Sequence, residues 1–421
     1  MPGRPDGQGR NPRLGDGDGV TTDAARAAEH AARVSYGKLL AILSSRTGDI
    51  IGAEDALADA FAAALATWPR DGVPDRPEAW LLTTARNRRI DAMRKSARLV
   101  LTDEVPDMLA PFPDPDALPD DRLKLMFVCA HPAIDDTLHT PLMLQTVLGL
   151  EAADIARAYL IPGSTMAQRL VRVKRKIRDA RLPFTLPQAE DLPQRLGAVL
   201  EAVYGAYTID WQEGAGDLSH EALFLATTLA DLMPDAPEAL GLAAMICFIE
   251  ARRKARVVDD TYVPLPGQDT GLWDGILIAH ATRFLARAAA FGQIGRFQLE
   301  AAIQSVHANR ADMGRTDWRA ISQLYAALRR LHPTVGTAVG QSAAVGEDAG
   351  PAEGLRLLDL IDPAAVAGYQ PYWATRAHLL ARMGQAQQAA AAYEKAISLC
   401  TDAPSRRWLG AQRERIKQGL L

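Results

Sequence analysis

The segment from residue 164 to residue 181 constrains the fold of this chain more than any other part of the sequence. Seven of its residues are Arg or Lys and one is acidic. Its apolar positions recur at steps of four, three, four and three, which is the spacing of one stripe along an α-helix. These positions are Met166, Leu170, Val173, Ile177 and Ala180. The segment is therefore predicted to be a helix that packs through a narrow stripe and presents cations on its other faces.

A shorter helix is predicted immediately before the basic one. Residues 152–160 have the pattern of a short helix, and Ile161-Pro162-Gly163 interrupts it. Thr165 and Gln168 have the spacing of a capping box at the start of the basic helix. A helix, a tight turn and a basic helix together are typical of a helix-turn-helix that reads DNA. The alternative for the same charges is a solvated basic face on an ordinary bundle helix.

Composition indicates a soluble protein of two or three domains. The chain has 421 residues and a formal net charge of −4, so its total charge is mild despite the basic segment. The three cysteines, Cys129, Cys247 and Cys400, are far apart and odd in number, which favours a reducing compartment over a disulfide framework. The first residues are not signal-like, and no apolar run is long enough to cross a bilayer. We expect a cytoplasmic protein without membrane association.

Helical spacing prevails along the whole sequence, and an all-α fold is predicted. Breaks in the pattern divide the chain into five parts. These are a disordered tail over 1–24, a helical block over 25–98, an acidic proline-rich linker over 99–119, a helix-turn-helix block over 120–183 and a helical extension over 184–421. In the first helical block, helices are predicted over 25–45, 53–68 and 78–98, with a loop at 69–77.

The end of the extension has a repeat signature. Seven positions fall at the offsets of the tetratricopeptide repeat of about 34 residues, which consists of paired helices. They are Trp373, Ala377, Leu380, Gly384, Ala389, Tyr393 and Ala396. A polar-aromatic cluster stands earlier in the extension and consists of Gln268, Asp269, Trp273 and Asp274. This cluster is predicted to be a loop anchored by its tryptophan, and a contact surface for a partner is the alternative.

These motifs together resemble a bacterial extracytoplasmic-function sigma factor of the sigma-70 superfamily, in the subgroup with a tetratricopeptide-like C-terminal extension. Residues 52–61 and 79–91 are similar to sigma region 2. Two short motifs, at 121–123 and 131–132, are similar to region 4 together with the basic helix. Residues 267–269, 272–274 and 297–303, with His307, resemble the extension. The resemblance implies two small helical sigma domains that bind core RNA polymerase and promoter DNA to direct transcription initiation.

On the basic helix, the resemblance implies contacts with the −35 promoter element. The residues near its N-terminal end are the candidates for base or phosphate contact, namely Thr165, Gln168, Arg169 and Arg172. Glutamine suits adenine and arginine suits guanine. The cations farther along the helix are expected to meet mainly phosphates, which adds affinity without sequence choice; they are Lys174, Arg175, Lys176 and Arg178.

The helix predicted over 78–98 combines aromatic, amide and charged groups, which suits an unpaired DNA strand. The candidate residues are Trp80, Thr84, Arg86, Asn87, Arg88, Asp91 and Arg94. The resemblance implies that this helix and the 69–77 loop recognise and open the −10 element. A core position is an equal alternative for Trp80, and a solvated face is the alternative for Arg86, Arg88 and Arg89.

The resemblance also implies contacts with the β′ clamp and the β flap of the polymerase. Asp55, Asp59 and Phe61 are the candidate clamp contacts, although periodicity alone favours a core position for Phe61. The extension is expected to regulate the sigma domains, by packing on them or by binding a ligand or a protein. The rival function is a helix-turn-helix regulator that uses its helical repeats as a sensor and does not join polymerase.

Motifs for nucleotide binding, metal binding and nucleophilic catalysis are missing from the sequence. No enzyme activity, cofactor or metal site is therefore predicted. An active site in the extension is the enzymatic alternative, and it would require a pocket with converging titratable groups.

Overall fold

The computed structural model describes residues 17–97, 121–159, 161–187, 190–213 and 217–419. The chain divides into two compact units, Met1–Ala202 and Val203–Leu421. The predicted all-α class is confirmed, because the described residues form helices apart from one small antiparallel hairpin, β1 (Val257–Val258) and β2 (Thr261–Tyr262). The linker predicted over 99–119 lies outside the described residues.

The first unit contains the two predicted DNA-binding blocks. Its helices are α1 (Gly17–Thr47), α2 (Ile50–Asp71), α3 (Pro77–Ala97), α4 (Arg122–Cys129), α5 (Asp136–Thr146), α6 (Ala152–Ala158), α7 (Gly163–Asp179) and the start of α8 (Leu192–Glu213). Helix α1 begins at Gly17, so the predicted end of the disordered tail at residue 24 is wrong. Residues 1–16 lie outside the described part of the chain.

Helices α1, α2 and α3 pack together through small and apolar side chains. Asp49 precedes α2, and its side chain accepts a hydrogen bond from the Gly52 amide, which satisfies one free donor of the first turn. The buried stripe of α2 is rich in alanine, which lets the neighbouring helices approach closely, and it ends at the buried Trp68. Leu81, Leu82 and Ala85 bury the facing side of α3.

Helices α4 to α7 surround a second core. Helix α4 is buried along most of its length, including the Cys129 thiol, whose pKa is raised to about 12 by burial. The predicted stripe of α7 is buried at Met166, Leu170, Val173 and Ile177. Ala180 departs from the prediction, because it follows the end of the helix and is exposed.

The capping box predicted at Thr165 is wrong. Helix α7 begins at Gly163 after Pro162, and no side chain caps it. The Pro162 carbonyl accepts the amides of Thr165 and Met166, at 3.0 and 3.2 Å, so Thr165 already lies inside the first turn. Proline presets the backbone angle at the turn, and the helix therefore starts three residues earlier than side-chain capping predicts.

The second unit continues with α8 and consists of helices stacked along the chain. They are α9 (Asp217–Leu232), α10 (Pro237–Glu250), α11 (Arg253–Arg256), α12 (Gly275–Ala289), α13 (Arg296–Ala308), α14 (Arg310–Met313), α15 (Trp318–Leu331), α16 (Val335–Asp348), α17 (Pro351–Leu358), α18 (Pro363–Val366), α19 (Gln370–Arg382), α20 (Ala386–Leu399) and α21 (Ala403–Lys417). Two single-turn 3-10 segments, Leu265–Gly267 and Thr270–Leu272, lie in the connection before α12.

The seven repeat positions lie in the helix pair α19 and α20. Gly384 turns the chain between the two helices with φ +73°, a conformation that favours glycine. Ala377 and Leu380 on α19 pack in one core with Ala389, Tyr393 and Ala396 on α20. Trp373 packs against the edge of this core. The pattern therefore predicted a real helix hairpin.

Candidate nucleic-acid interface

Helices α6 and α7 are joined by a tight turn, at the place where the sequence predicts a helix-turn-helix. The turn is closed by the Ile161 amide, which donates to the Ala156 carbonyl at 3.1 Å. At Gly163, an added Cβ would lie 3.6 Å from the Ala153 Cα, so α7 starts in contact with the start of α6. The buried stripe of α7 then fixes which of its faces is left to solvent.

The solvent face of α7 carries most of the predicted contact residues. Gln168, Arg169, Arg172, Arg175, Lys176 and Arg178 are exposed, and Thr165 is half-buried. Among the residues that the structure describes, Arg169, Arg172 and Arg175 form no ion pair with a carboxylate. Arg178 is paired with its neighbour Asp179 at 3.0 Å. The face thus holds a row of cations that are not neutralised internally, as a phosphate-binding surface requires.

A cavity of about 430 Å³ opens beside this row, between the start of α5 and α7. Arg169, Arg172 and Lys176 line it from α7. Lys176 also donates a hydrogen bond to the Ala133 carbonyl. Asp135 lies on the opposite wall, and its hydrogen bonds with Thr137 hold the pKa of its carboxyl below the usual range. The wall that α7 forms is cationic, and the facing wall combines apolar side chains with the Asp135 carboxylate.

Lys174 does not belong to this surface, in contrast to the prediction. Its side chain is 5% exposed, and its ammonium forms an ion pair with Glu54 on α2. Burial raises the pKa of Glu54, and Lys174 opposes this shift only in part. Periodicity missed the contact because Lys174 lies next to Val173 at the edge of the stripe, where a neighbouring helix decides its exposure.

The two blocks of the first unit also touch at two other places. Ser45 at the end of α1 donates to the Asp121 carboxylate, just before α4, at 2.8 Å. A Cβ at Gly37 on α1 would lie 1.8 Å from the Val147 carbonyl oxygen, after α5, so only glycine permits this approach. The structure therefore shows a closed arrangement of the two blocks.

Helix α3 presents the second group of predicted residues. Asn87, Arg88 and Asp91 are exposed, and Thr84 and Arg86 are half-buried. The Arg94 side chain lies outside the described residues. Trp80 packs edge-on against Trp68 with 5.5 Å between ring centroids, and it is half-buried. Each alternative for Trp80 is thus partly right, since one part of its ring is packed and another faces solvent.

Arg89 is a charged residue of α3 with a structural contact. It is 9% exposed and pairs with Asp49 at 3.2 Å. At Gly52, an added Cβ would lie 2.3 Å from an Arg89 nitrogen, so the start of α2 leaves space for the guanidinium. Helical periodicity alone gives no sign of this pairing.

Helix α2 carries the three candidate polymerase contacts. Asp55 and Asp59 are exposed, as expected, while Phe61 is half-buried. Leu65, one turn beyond Phe61, was missed by the sequence reasoning and is 53% exposed. Phe61 and Leu65 thus form a small apolar strip beside two carboxylates, a combination that suits a protein contact.

Comparison with known proteins identifies the first block. Residues 33–99, which span the second half of α1 with α2 and α3, match the model for sigma-70 region 2. The chain contains a sigma-70 region 2 domain. The presence of this domain supports a role in transcription initiation.

Two further comparisons concern the whole chain and its extension. The chain is 34% identical over 380 residues to an uncharacterized protein, R00370, of Rhizobium meliloti (strain 1021). The aligned region covers 86% of this chain and 90% of that protein. The two belong to one family. Residues 195–289 match a family of unknown function, DUF6596. No solved structure matches the chain. No helix in the described part of the chain is long and apolar enough to span a membrane.

Proposed function

We propose that this protein is an extracytoplasmic-function sigma factor that directs core RNA polymerase to promoters. The observation that carries the proposal is the row of exposed, internally unpaired cations on α7, in the same chain as a sigma-70 region 2 domain. Residues 120–183 act as region 4, with Thr165, Gln168, Arg169 and Arg172 at the −35 element. Arg175, Lys176 and Arg178 bind phosphates.

Helix α3 and the 69–77 loop act on the −10 element. Trp80, Thr84 and Asn87 lie along α3 at helical spacing, with Arg86, Arg88, Asp91 and Arg94 beside them. These groups suit a strand whose bases are unstacked, because aromatic rings stack on bases and cations bind the backbone. Melting then follows from differential binding, since holding the unpaired strand offsets an unstacking cost of a few kcal/mol. No covalent step is needed.

Asp55, Asp59 and Phe61 on α2 dock on the polymerase β′ clamp, and Leu65 enlarges the apolar part of this contact. Residues 120–183 contact the β flap. The extension, with a tetratricopeptide-like helix pair at its end, regulates the two sigma domains by binding a ligand or a protein.

Simultaneous binding of both promoter elements requires the closed arrangement to open. By their names, the −35 and −10 elements lie about 25 base pairs apart, or about 85 Å of duplex at about 3.4 Å per pair, whereas Lys174 and Glu54 hold α7 against α2 of the first block. Opening would separate Lys174 from Glu54 and return both charged groups to water. The Lys174–Glu54 ion pair therefore favours the closed arrangement over the arrangement that binds both promoter elements.

Transcription in a purified system tests the proposal. The full chain with core polymerase should give specific transcripts from a double-stranded promoter, and Arg169→Ala should reduce promoter selection. Arg330→Ala is the matched control, because it removes an exposed arginine from α15 in the other unit. DNA binding without polymerase association would favour the rival regulator. Promoter choice unchanged by Arg169→Ala would refute the placement of the reading residues.

A further inference from the structure

The extension contains a cluster of buried polar groups that lack hydrogen-bond partners. Within the described part of the chain, five such atoms come from residues of one neighbourhood. They are Arg252 Nη1, Gln268 Oε1, Trp273 Nε1, His307 Nδ1 and Arg310 Nε. Buried polar groups in proteins are nearly all hydrogen-bonded, so a concentration of unpaired ones needs an explanation.

Several contacts bring these residues together. The Arg310 guanidinium lies over the Trp273 ring, 5.2 Å from its centroid. Arg310 also donates to the carbonyls of Pro266 and Gln268, at 2.7 and 2.6 Å. Arg252 follows the end of α10, and its other nitrogen donates to Gln304 on α13. His307 lies one turn beyond Gln304 on the same helix.

The charges of this cluster are not balanced by acidic groups. Among the described residues, neither Arg252 nor Arg310 forms an ion pair, whereas the neighbouring Arg253 is paired with Glu250 at 2.7 Å. Arg252 is only 5% exposed, and burial lowers its pKa to about 10. Burial and the charges of both arginines lower the pKa of His307 to about 3, so this imidazole is neutral. Buried cations without a counter-charge are costly.

We propose that this cluster binds a doubly charged tetrahedral oxyanion, namely phosphate, either free or as the terminal group of a small ligand. Two guanidinium charges match a dianion. Arg252 Nη1, Arg310 Nε and Trp273 Nε1 are donors and suit phosphate oxygens. Gln268 Oε1 needs a donor, which free hydrogen phosphate supplies through its hydroxyl; a terminal phosphate ester carries this hydroxyl only in its singly protonated form. The Gln268 amide is oriented by its Nε2, which donates to the Val263 carbonyl at 3.1 Å.

The cover of the site is the short connection before α12. Pro266, Gly267 and Asp269 in this connection are exposed, while Gln268 and Trp273 turn inward and are 7% and 8% exposed. Arg310 on α14 holds this connection in place through its hydrogen bonds to the carbonyls of Pro266 and Gln268, and it is also one of the residues assigned to the anion. The loop interpretation of the polar-aromatic cluster accounts for the buried Trp273, whose indole N–H is left for a ligand.

Titration calorimetry on the full chain tests the proposal, with inorganic phosphate and glycerol phosphate as probes and chloride of equal ionic strength as the reference. Trp273→Phe keeps a ring beneath Arg310 but removes the indole donor, so phosphate affinity should fall by about tenfold. Arg252→Gln should abolish binding. Trp373→Phe is the matched control, because its indole donates to the Val366 carbonyl outside the cluster, and its affinity should equal that of the wild type.

The two probes separate the two sources of phosphate. Binding of inorganic phosphate alone indicates the free ion, and binding of glycerol phosphate indicates a terminal phosphate group. The proposal is overturned if neither probe binds more strongly than chloride, or if Trp273→Phe and Arg252→Gln bind as the wild type does. The latter result would place the anion elsewhere, such as on the cations of α7. Polymerase and DNA are absent from the experiment, so its result is independent of the proposed sigma function.

Discussion

The cations of α7 and those around Arg252 show two uses of the same chemical group. On α7, Arg169, Arg172 and Arg175 are exposed and water solvates them, so a polyanion can attract them over distance but salt screens the attraction. Around Arg252, that guanidinium is withdrawn from water and the guanidinium of Arg310 is half-buried, so an ion that reaches them directly is needed to compensate their charge. The first environment suits DNA, whereas the second suits one small anion.

Lys174 stands between these two cases, since it is buried like Arg252 but paired like a conventional salt bridge. Lys174→Met should lower the free energy of unfolding of the first unit by about 3 kcal/mol, because Glu54 would be left in a largely buried place without its partner. Chemical denaturation followed by circular dichroism measures this loss. The double variant Glu54→Leu, Lys174→Met is the control and should recover most of the stability. A single variant as stable as the wild type would show that the pair is not closed in solution.

The pH dependence of Lys174→Met sharpens the same comparison. Burial raises the folded-state pKa of Glu54, so folding favours its neutral form, and loss of Lys174 raises this pKa further. The destabilisation should therefore be largest above the raised pKa and should shrink as the pH falls through it, because a neutral Glu54 needs no partner. Unfolding at a series of pH values from about 8 to about 4, below the ordinary pKa of glutamate, measures the change. A constant deficit over this range would contradict the assignment to Glu54.

Arg169→Ala tests the exposed group near the N-terminal end of α7 that we assign to base recognition. Loss of a bidentate base contact should reduce discrimination between the correct promoter and a single-base variant by about 2 kcal/mol. Binding of polymerase holoenzyme to the two DNA sequences measures this difference. Arg330→Ala should leave it unchanged. A uniform loss on both sequences would reassign Arg169 to a phosphate.

Lys176→Gln should have the smallest effect. Lys176 is exposed beside the α7 cavity and is assigned to a phosphate, so its loss should weaken binding to all DNA sequences alike, by about 1 kcal/mol or less. The slope of log affinity against log salt should fall by about one. Filter binding at several salt concentrations measures this slope. An unchanged slope would show that Lys176 is engaged by the Ala133 carbonyl rather than by DNA.

Much of the first unit could be predicted from its pattern. The stripe of α7 and the break at Ile161-Pro162-Gly163 predicted the helix-turn-helix, because burial of a stripe and a proline turn are local properties. The start of α1 and the cap of α7 were predicted wrongly. Both errors concern helix ends, where local signals compete and a backbone turn at Pro162 replaced the expected side-chain cap.

Residues at the edge of a stripe could not be assigned in the same way. The sequence context predicts surface positions for Lys174 and Arg89 and a core position for Phe61. The exposure of each side chain nevertheless depends on which helix lies beside it. Arg89 is buried because the start of α2 leaves space for it at Gly52, and Lys174 is buried because α2 presents Glu54. These partners are 40 and 120 residues away along the chain.

The sequence by itself determined the helices, the basic face of α7 and the kinship with sigma-70 region 2, since each depends on residue types at short spacing. Only the tertiary structure decided that Lys174 leaves that face, that the two blocks close on each other, and that Arg252, Trp273 and Arg310 share one buried place. The reason is that desolvation and charge pairing depend on distance in space, and residues far apart in the chain supply both.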